Sequence, residues 1–151
     1  MEKLWEEKEL YLAKFVDEVE LEKFAKEDFT WLQLKEIRLG LKERLDVSVY
    51  AKEEFDAFQM HEIRVGLSKK LDVSIYAKPE FSSAQMREIR YGLSLGLDVS
   101  VYSEKRFKVA QMRVIRLGLI YKLDVSEYAK PELSYKQMEE IRLKLMKESI
   151  L

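Results

Sequence analysis

The feature that most constrains this chain is a repeat. The string Leu-Asp-Val-Ser-x-Tyr begins at Leu45, Leu71, Leu97 and Leu123, always 26 residues apart and without insertion or deletion. Ile-Arg recurs in the same register at Ile37-Arg38, Ile63-Arg64, Ile89-Arg90, Ile115-Arg116 and Ile141-Arg142. A degenerate copy of the first string starts at Val19 and ends in Phe24. A fixed period of this length is the mark of a stacked array of small supersecondary units.

Each unit states where its helix begins. Ser82 is followed three residues later by Gln85, the spacing of a capping box in which the hydroxyl accepts from the third helical amide and the glutamine reaches back to the cap amide. The same spacing recurs at Thr30/Gln33, Asp56/Gln59 and Ser134/Gln137, while the fourth unit has Lys108 at the cap. Around each cap the staple pairs Phe29/Leu34, Phe55/Met60, Phe81/Met86, Phe107/Met112 and Leu133/Met138 have the spacing to pack together. Met86, Ile89, Leu93 and Leu97 then share one helical face, which predicts an amphipathic helix over about residues 83–95.

A second, shorter helix is expected to follow at once. Asp98 suits its N-cap, Leu97 and Tyr102 have the staple spacing, and Asp124/Glu127 have the spacing of another capping box. About one and a half turns are expected, ended by Pro79 and Pro131 where those occur. Tyr50, Tyr76, Tyr102 and Tyr128 are expected in the core. Neither helix alone covers the apolar side chains of its unit, so units must share a buried surface with their neighbours.

The expected fold is therefore all-α: an α-α solenoid of five 26-residue two-helix repeats, one long helix and one short, behind an N-terminal capping helix. The boundaries read as one domain, 1–151, with the cap at 1–18 and units at about 29–54, 55–80, 81–106, 107–132 and a truncated 133–151. Leu4, Trp5, Tyr11, Leu12, Phe15 and Val16 form the cap's apolar set. Glycine recurs inside the long helix at Gly40, Gly66, Gly92 and Gly118, where it costs about 1 kcal/mol against alanine. We read it as admitting the following unit to close approach, a need that lapses in the fifth unit, which carries Lys144.

The chemistry-bearing residues are few. His61 is the only histidine and there is no cysteine, which excludes a Cys-His pair, a two-histidine zinc site and a disulfide frame. The glycines lie one per repeat inside helices, not in a phosphate-cradling loop. No catalytic, metal or cofactor residue is assigned, no small-molecule substrate is evident, and the chain is expected not to be an enzyme. Lys+Arg (27) and Asp+Glu (28) nearly cancel, so no global field draws the protein to nucleic acid or an anionic membrane. Locally, residues 1–28 hold ten acids and five bases, and Glu104 to Lys122 hold six bases and one acid. The amino terminus is acidic where a secretory signal is apolar, and no apolar run approaches a membrane span. A cytoplasmic location is expected.

Two sets of residues invite a functional reading. Arg38, Arg64, Arg90, Arg116 and Arg142 form a ladder about 40° from the methionine on the helical wheel. One reading lays each stem on the core and bonds the fork to a carbonyl at a helix end or to an aspartate such as Asp72 or Asp98. The other is a groove that grips phosphates or carboxylates. The second set varies between units: Trp31-Leu32, Ala57-Phe58, Ser83-Ala84, Val109-Ala110 and Tyr135-Lys136 near the caps, and Lys35, His61, Arg87, Arg113 and Glu139 in a second column. From these we take Trp31, Phe58, His61, Arg87, Arg113 and Tyr135 as a candidate interaction surface, against the plainer reading of surface drift, in which His61 is simply solvated.

The unit Phe-x-x-x-Gln-Met-x-Glu-Ile-Arg-x-Gly-Leu-x-x-x-Leu-Asp-Val-Ser-x-Tyr-Ala-x-Pro resembles uncharacterised helical repeats of low-GC Gram-positive bacteria, often found in large proteins associated with mobile genetic elements. The resemblance covers about residues 19–151. It implies a bacterial, cytoplasmic module accessory to DNA-transfer or phage-related machinery, and it carries no known ligand or activity onto any position here. A protein partner is the expected one, through a helical-repeat scaffold. The competing expectation is nucleic-acid binding through the basic surface of the fourth repeat.

Overall fold

A computed structural model describes the backbone of residues 2–14, 19–25 and 27–151. Among these residues there are seven α-helices, four short 3₁₀ helices and no strand. They are α1 (Glu2–Lys14), α2 (Val19–Ala25), α3 (Trp31–Lys42), η1 (Val47–Val49), α4 (Ala57–Ser68), η2 (Val73–Ile75), α5 (Ser83–Ser94), η3 (Val99–Val101), α6 (Val109–Ile120), η4 (Val125–Glu127) and α7 (Tyr135–Ile150). The chain divides into two compact units, Met1–Lys70 and Leu71–Leu151. Within the first, α1, α2 and α4 pack against α3; within the second, α5 packs on α6 and α6 on α7.

The long helices begin where their caps say. Thr30, Asp56, Ser82 and Ser134 each accept from the amide three residues on, and each paired glutamine returns a bond to the cap amide. Lys108 has no acceptor to offer, so α6 keeps only half of this box, the Lys108 amide donating to Gln111 Oε1 at 2.7 Å. Lys108→Ser supplies the missing acceptor and is expected to raise stability by about 1 kcal/mol, read as a shift in the urea midpoint with an unchanged slope. The staple phenylalanines Phe29, Phe55, Phe81 and Phe107 are buried, as are Leu34 and the four staple methionines.

Helices α3, α4, α5 and α6 each end in a left-handed residue: Arg44, Lys70, Gly96 and Lys122 have φ of 60°, 59°, 70° and 58°. The amides after Gly40, Gly92 and Gly118 close the end in the same manner, with Leu45, Leu97 and Leu123 donating to the three glycine carbonyls at 2.9, 3.0 and 3.0 Å. This six-to-one bond turns the chain sharply back.

The second element is shorter than the sequence suggests. It is one 3₁₀ turn, because the aspartate accepts from the residue two positions on and not three. Asp46, Asp72, Asp98 and Asp124 take the amides of Ser48, Ser74, Ser100 and Ser126 at 3.2–3.3 Å, and the serine hydroxyls donate to the same carboxylates. That local closure competes with an α-helical start. The expected Asp124/Glu127 box is accordingly replaced by the bond to Ser126. Nor do the prolines end the element: η2 and η4 stop at Ile75 and Glu127, as η1 and η3 stop at Val49 and Val101 in units that have no proline.

The recurrent glycine also has a different partner from the one expected. A Cβ on Gly40, Gly92 or Gly118 would collide with the hydroxyl of Tyr50, Tyr102 or Tyr128, and would lie 2.7, 2.5 or 2.7 Å from a methyl of Val47, Val99 or Val125. What approaches is the 3₁₀ turn ten residues downstream in the same repeat, not the next repeat. In α7 the same position carries Lys144, which is exposed.

At the amino end, α1 has the place of the expected cap. Of its apolar set, Phe15 and Val16 lie outside the described residues, as do the side chains of Leu4 and Trp5. The degenerate copy beginning at Val19 forms α2, a true α-helix: without Asp-x-Ser it lacks the closure that tightens the others. It buries Leu21, and Phe24 meets Phe29 with ring centroids 6.4 Å apart.

Candidate functional site

The arginine ladder lies beside the core as the wheel places it, and Arg64, Arg116 and Arg142 bond glutamates. Arg64 Nε donates to Glu36 Oε2 at 2.7 Å and its Nη1 to Glu43 Oε1 at 2.9 Å. Arg116 Nε donates to Glu88 Oε2 at 2.9 Å. In both cases the acceptor sits 28 residues earlier, two positions before the equivalent arginine of the preceding repeat. The side chains of Arg64 and Arg116 are 12% and 14% exposed, and that of Glu88 only 4%. Neither a helix-end carbonyl nor Asp72 or Asp98 receives these forks. A charge withdrawn this far from water must be compensated, and the fork geometry of arginine does so here.

The second variable column serves the same glutamates. His61 Nδ1 stands 3.5 Å from Glu36 Oε1, and Arg113 Nε 3.4 Å from Glu88 Oε1. His61 is half-exposed, yet it borders the Glu36–Arg64 pair and is not merely solvated. The fourth repeat breaks the pattern and mends it. Val114 occupies the glutamate position, and Arg142, which would reach back to it, instead bonds Glu139 on its own helix at 2.9 and 2.5 Å. The bond to Arg142 holds the Glu139 carboxyl below the usual range and, reciprocally, raises the guanidinium.

The tyrosines fix the turns beneath this row. Tyr50, Tyr102 and Tyr128 are fully buried and donate to the carbonyls of Glu36, Glu88 and Val114 at 2.7, 2.8 and 3.1 Å. Burial drives the hydroxyls of Tyr50 and Tyr102 well above the ordinary phenol range and pushes Tyr128 up to about 12, against the pull of the neighbouring arginine in each case. The glutamines, read from the sequence only as caps, have a second task. Gln33, Gln85 and Gln111 donate Nε2 to the carbonyls of Phe55, Phe107 and Leu133 at 2.7, 2.8 and 2.6 Å, binding each helix to the lead-in of the next.

Known proteins add nothing to this geometry. No family model, no curated protein and no solved structure matches the chain.

The proposed surface residues are therefore not one site. Trp31 is turned inward, donating its indole Nε1 to Glu7 Oε2 at 2.9 Å and lying 6.1 Å from the ring of Tyr11. His61 and Arg113 attend the glutamates. Arg87 is exposed, and Tyr135 is 48% exposed on α7. Phe58 is different. It is 71% exposed beside Leu32, 42% exposed, at the open rim of a cleft of about 320 Å³ that Thr30, Gln33, Asp56 and Ala57 complete. Leu32 belonged to the variable cap-proximal pairs but was not singled out, because only its exposure next to Phe58 distinguishes it from a core leucine. Among the described residues no His, Cys, Asp and Glu side chains group as metal ligands, and no helix is long and apolar enough to cross a membrane.

Proposed function

We propose that the chain is a non-enzymatic helical-repeat scaffold, a solenoid of five 26-residue units, which works by binding another protein. The observation that carries this reading is the Phe58–Leu32 rim. An aromatic ring left 71% in water over this cleft has most of its surface uncovered by the chain, and aromatic anchors in such settings are typical of the buried centre of an interface. The recurrent polar residues support the same reading from the other side. The cap residues start their own helices, and the glutamines and the forks of Arg64 and Arg116 hold one helix to the next, which leaves the variable positions to recognise a partner.

The basic fourth repeat supports a nucleic-acid surface less well. Arg116 is held by Glu88, Arg113 leans on the same carboxylate, and Arg106 pairs with Glu104 at 2.6 Å. A ladder gripping phosphates needs its forks free.

The test is a photo-crosslinking amino acid at position 58, introduced into the chain in its host cells. A discrete crosslinked protein is expected, lost when Leu32→Asp is added, with the melting temperature of that variant within about 2 °C of the parent because exposed substitutions cost little. A crosslinking pattern no different from that obtained at exposed Lys52 overturns the proposal.

A further inference from the structure

We propose that Arg116 is a docking site for an acidic residue of a partner protein, whose carboxylate takes the open edge of the guanidinium beside Tyr91 and Leu95. Three arginines of the ladder show what such a fork ordinarily holds. Arg64 makes two carboxylate bonds, Nε to Glu36 at 2.7 Å and Nη1 to Glu43 at 2.9 Å. Arg142 also makes two, Nε and Nη2 both donating to Glu139, at 2.9 and 2.5 Å. Arg116 makes one, from Nε to Glu88 at 2.9 Å, and among the described residues its Nη atoms donate to no group.

A single difference between repeats accounts for the missing bond. The residue 21 positions before Arg64 is Glu43, and the residue 21 positions before Arg116 is Leu95. Both arginines are anchored alike, by Nε to a glutamate 28 residues earlier, so the Arg64 pair shows where a second carboxylate stands against a fork held in this way. Leu95 has no acceptor to put there, and its side chain is 56% exposed. The place that Glu43 fills for Arg64 is thus left for a carboxylate from outside the chain.

The surroundings select an acid carried beside an apolar group. Arg116 Cζ lies 5.5 Å from the centroid of the Tyr91 ring, and Arg90 Cζ 5.0 Å from it. A guanidinium over a ring engages its face and keeps its edge for in-plane hydrogen bonds. Glu88 also attends Arg113, 3.4 Å away, so one carboxylate serves two guanidiniums and the surplus of positive charge favours an incoming acid. Because Arg116 is only 14% exposed, a charged bond made there is screened less than one at open surface. Tyr91, 38% exposed, and Leu95 offer the carrier of that acid an apolar contact that a bare anion cannot use. The site lies on α5 and α6, whereas the Phe58–Leu32 rim lies on α3 and α4, so each stands or falls separately.

The probe is the blocked dipeptide acetyl-Glu-Leu-amide, titrated into the nitrogen-15-labelled full chain at about 50 mM salt, where surface charges are weakly screened. The signal followed is the Arg116 Nε–H resonance, identified by its disappearance in Arg116→Lys. A saturable shift with Kd below about 10 mM is expected. The uncharged acetyl-Gln-Leu-amide should bind at least about tenfold more weakly, as for a lost charged hydrogen bond. Leu95→Glu fills the site from within, as Glu43 does, and should abolish the shift while the melting temperature stays at or above that of the parent. Absence of a saturable shift, an equal response to the glutamine dipeptide, or undiminished binding in Leu95→Glu overturns the proposal. Acetate or inorganic phosphate binding as tightly as the glutamate dipeptide would mark a site for any small anion and would overturn the protein partner.

Discussion

Gly92→Ala is expected to destabilise the chain by about 2 kcal/mol, although the same change at an open position inside a helix stabilises by about 1 kcal/mol. Two effects compete. Alanine lowers the conformational entropy lost by α5 on folding. Its methyl, however, would occupy the space of the Tyr102 hydroxyl and stand 2.5 Å from Val99 Cγ1. Relief requires the fully buried Tyr102 ring to withdraw, breaking its 2.8 Å bond to the Glu88 carbonyl. A buried donor and acceptor left unsatisfied cost about 1–3 kcal/mol each way, more than the helix gains. Urea unfolding followed by circular dichroism measures the net effect. Adding Tyr102→Phe removes the nearest colliding atom, so the double variant should be more stable than the two single losses summed, by about 1 kcal/mol. A rise in stability with Gly92→Ala alone would show that the turn does not press on the helix.

The same glycine illustrates what the chain discloses about itself. Its position was visible in the sequence, and so was the need for a close approach; the approaching group was not, because nothing in a 26-residue period says whether a contact is made within a repeat or across two. Helix starts were legible almost to the residue, α5 running over 83–94 against an expected 83–95, since a capping box and its staple are complete within six residues. The 3₁₀ turns were not. Aspartate with serine two positions on offers both an α-helical cap and a tighter turn, and the glutamate three positions on, present only at Glu127, favours the first on paper; the bond to the serine amide is made in all four repeats.

The arginines show the same boundary at longer range. Their place beside the core followed from a 40° step on the wheel, but the glutamate partners of Arg64 and Arg116 lie one repeat away, beyond any local rule. The signal was nevertheless present within this one chain. Four repeats have glutamate before the Ile-Arg pair and the fourth has Val114; the repeat after it is the one whose variable column turns acidic, at Glu139. Two departures one unit apart mark a pair that changes together. The interaction surface was less legible still: Trp31 and Phe58 are both aromatics within two residues of a cap, and only the structure shows that Trp31 meets Glu7 and Tyr11 of α1 while Phe58 stays exposed.

That paired departure leads to the other large effect. Glu88→Val should cost about 3 kcal/mol, because it strips the carboxylate from an Arg116 side chain that is only 14% exposed and cannot fully recover water. Removal of backbone support is not the cause: Val114 naturally holds the equivalent place, and its carbonyl still receives the Tyr128 hydroxyl at 3.1 Å. The remedy the chain uses there is transferable. Arg113→Glu puts a carboxylate three residues before Arg116, as Glu139 stands before Arg142. By itself Arg113→Glu should also destabilise, by about 1 kcal/mol, since its carboxylate would replace a cation 3.4 Å from Glu88 and the two acids would compete for one guanidinium. Combined with Glu88→Val it should return stability to within about 1 kcal/mol of the parent, so that two losses offset each other when made together. Thermal and urea unfolding of the four proteins test this sign reversal. Additive losses in the double variant would mean that Arg116 is held by packing, and that the exchange between Val114 and Glu139 is coincidence.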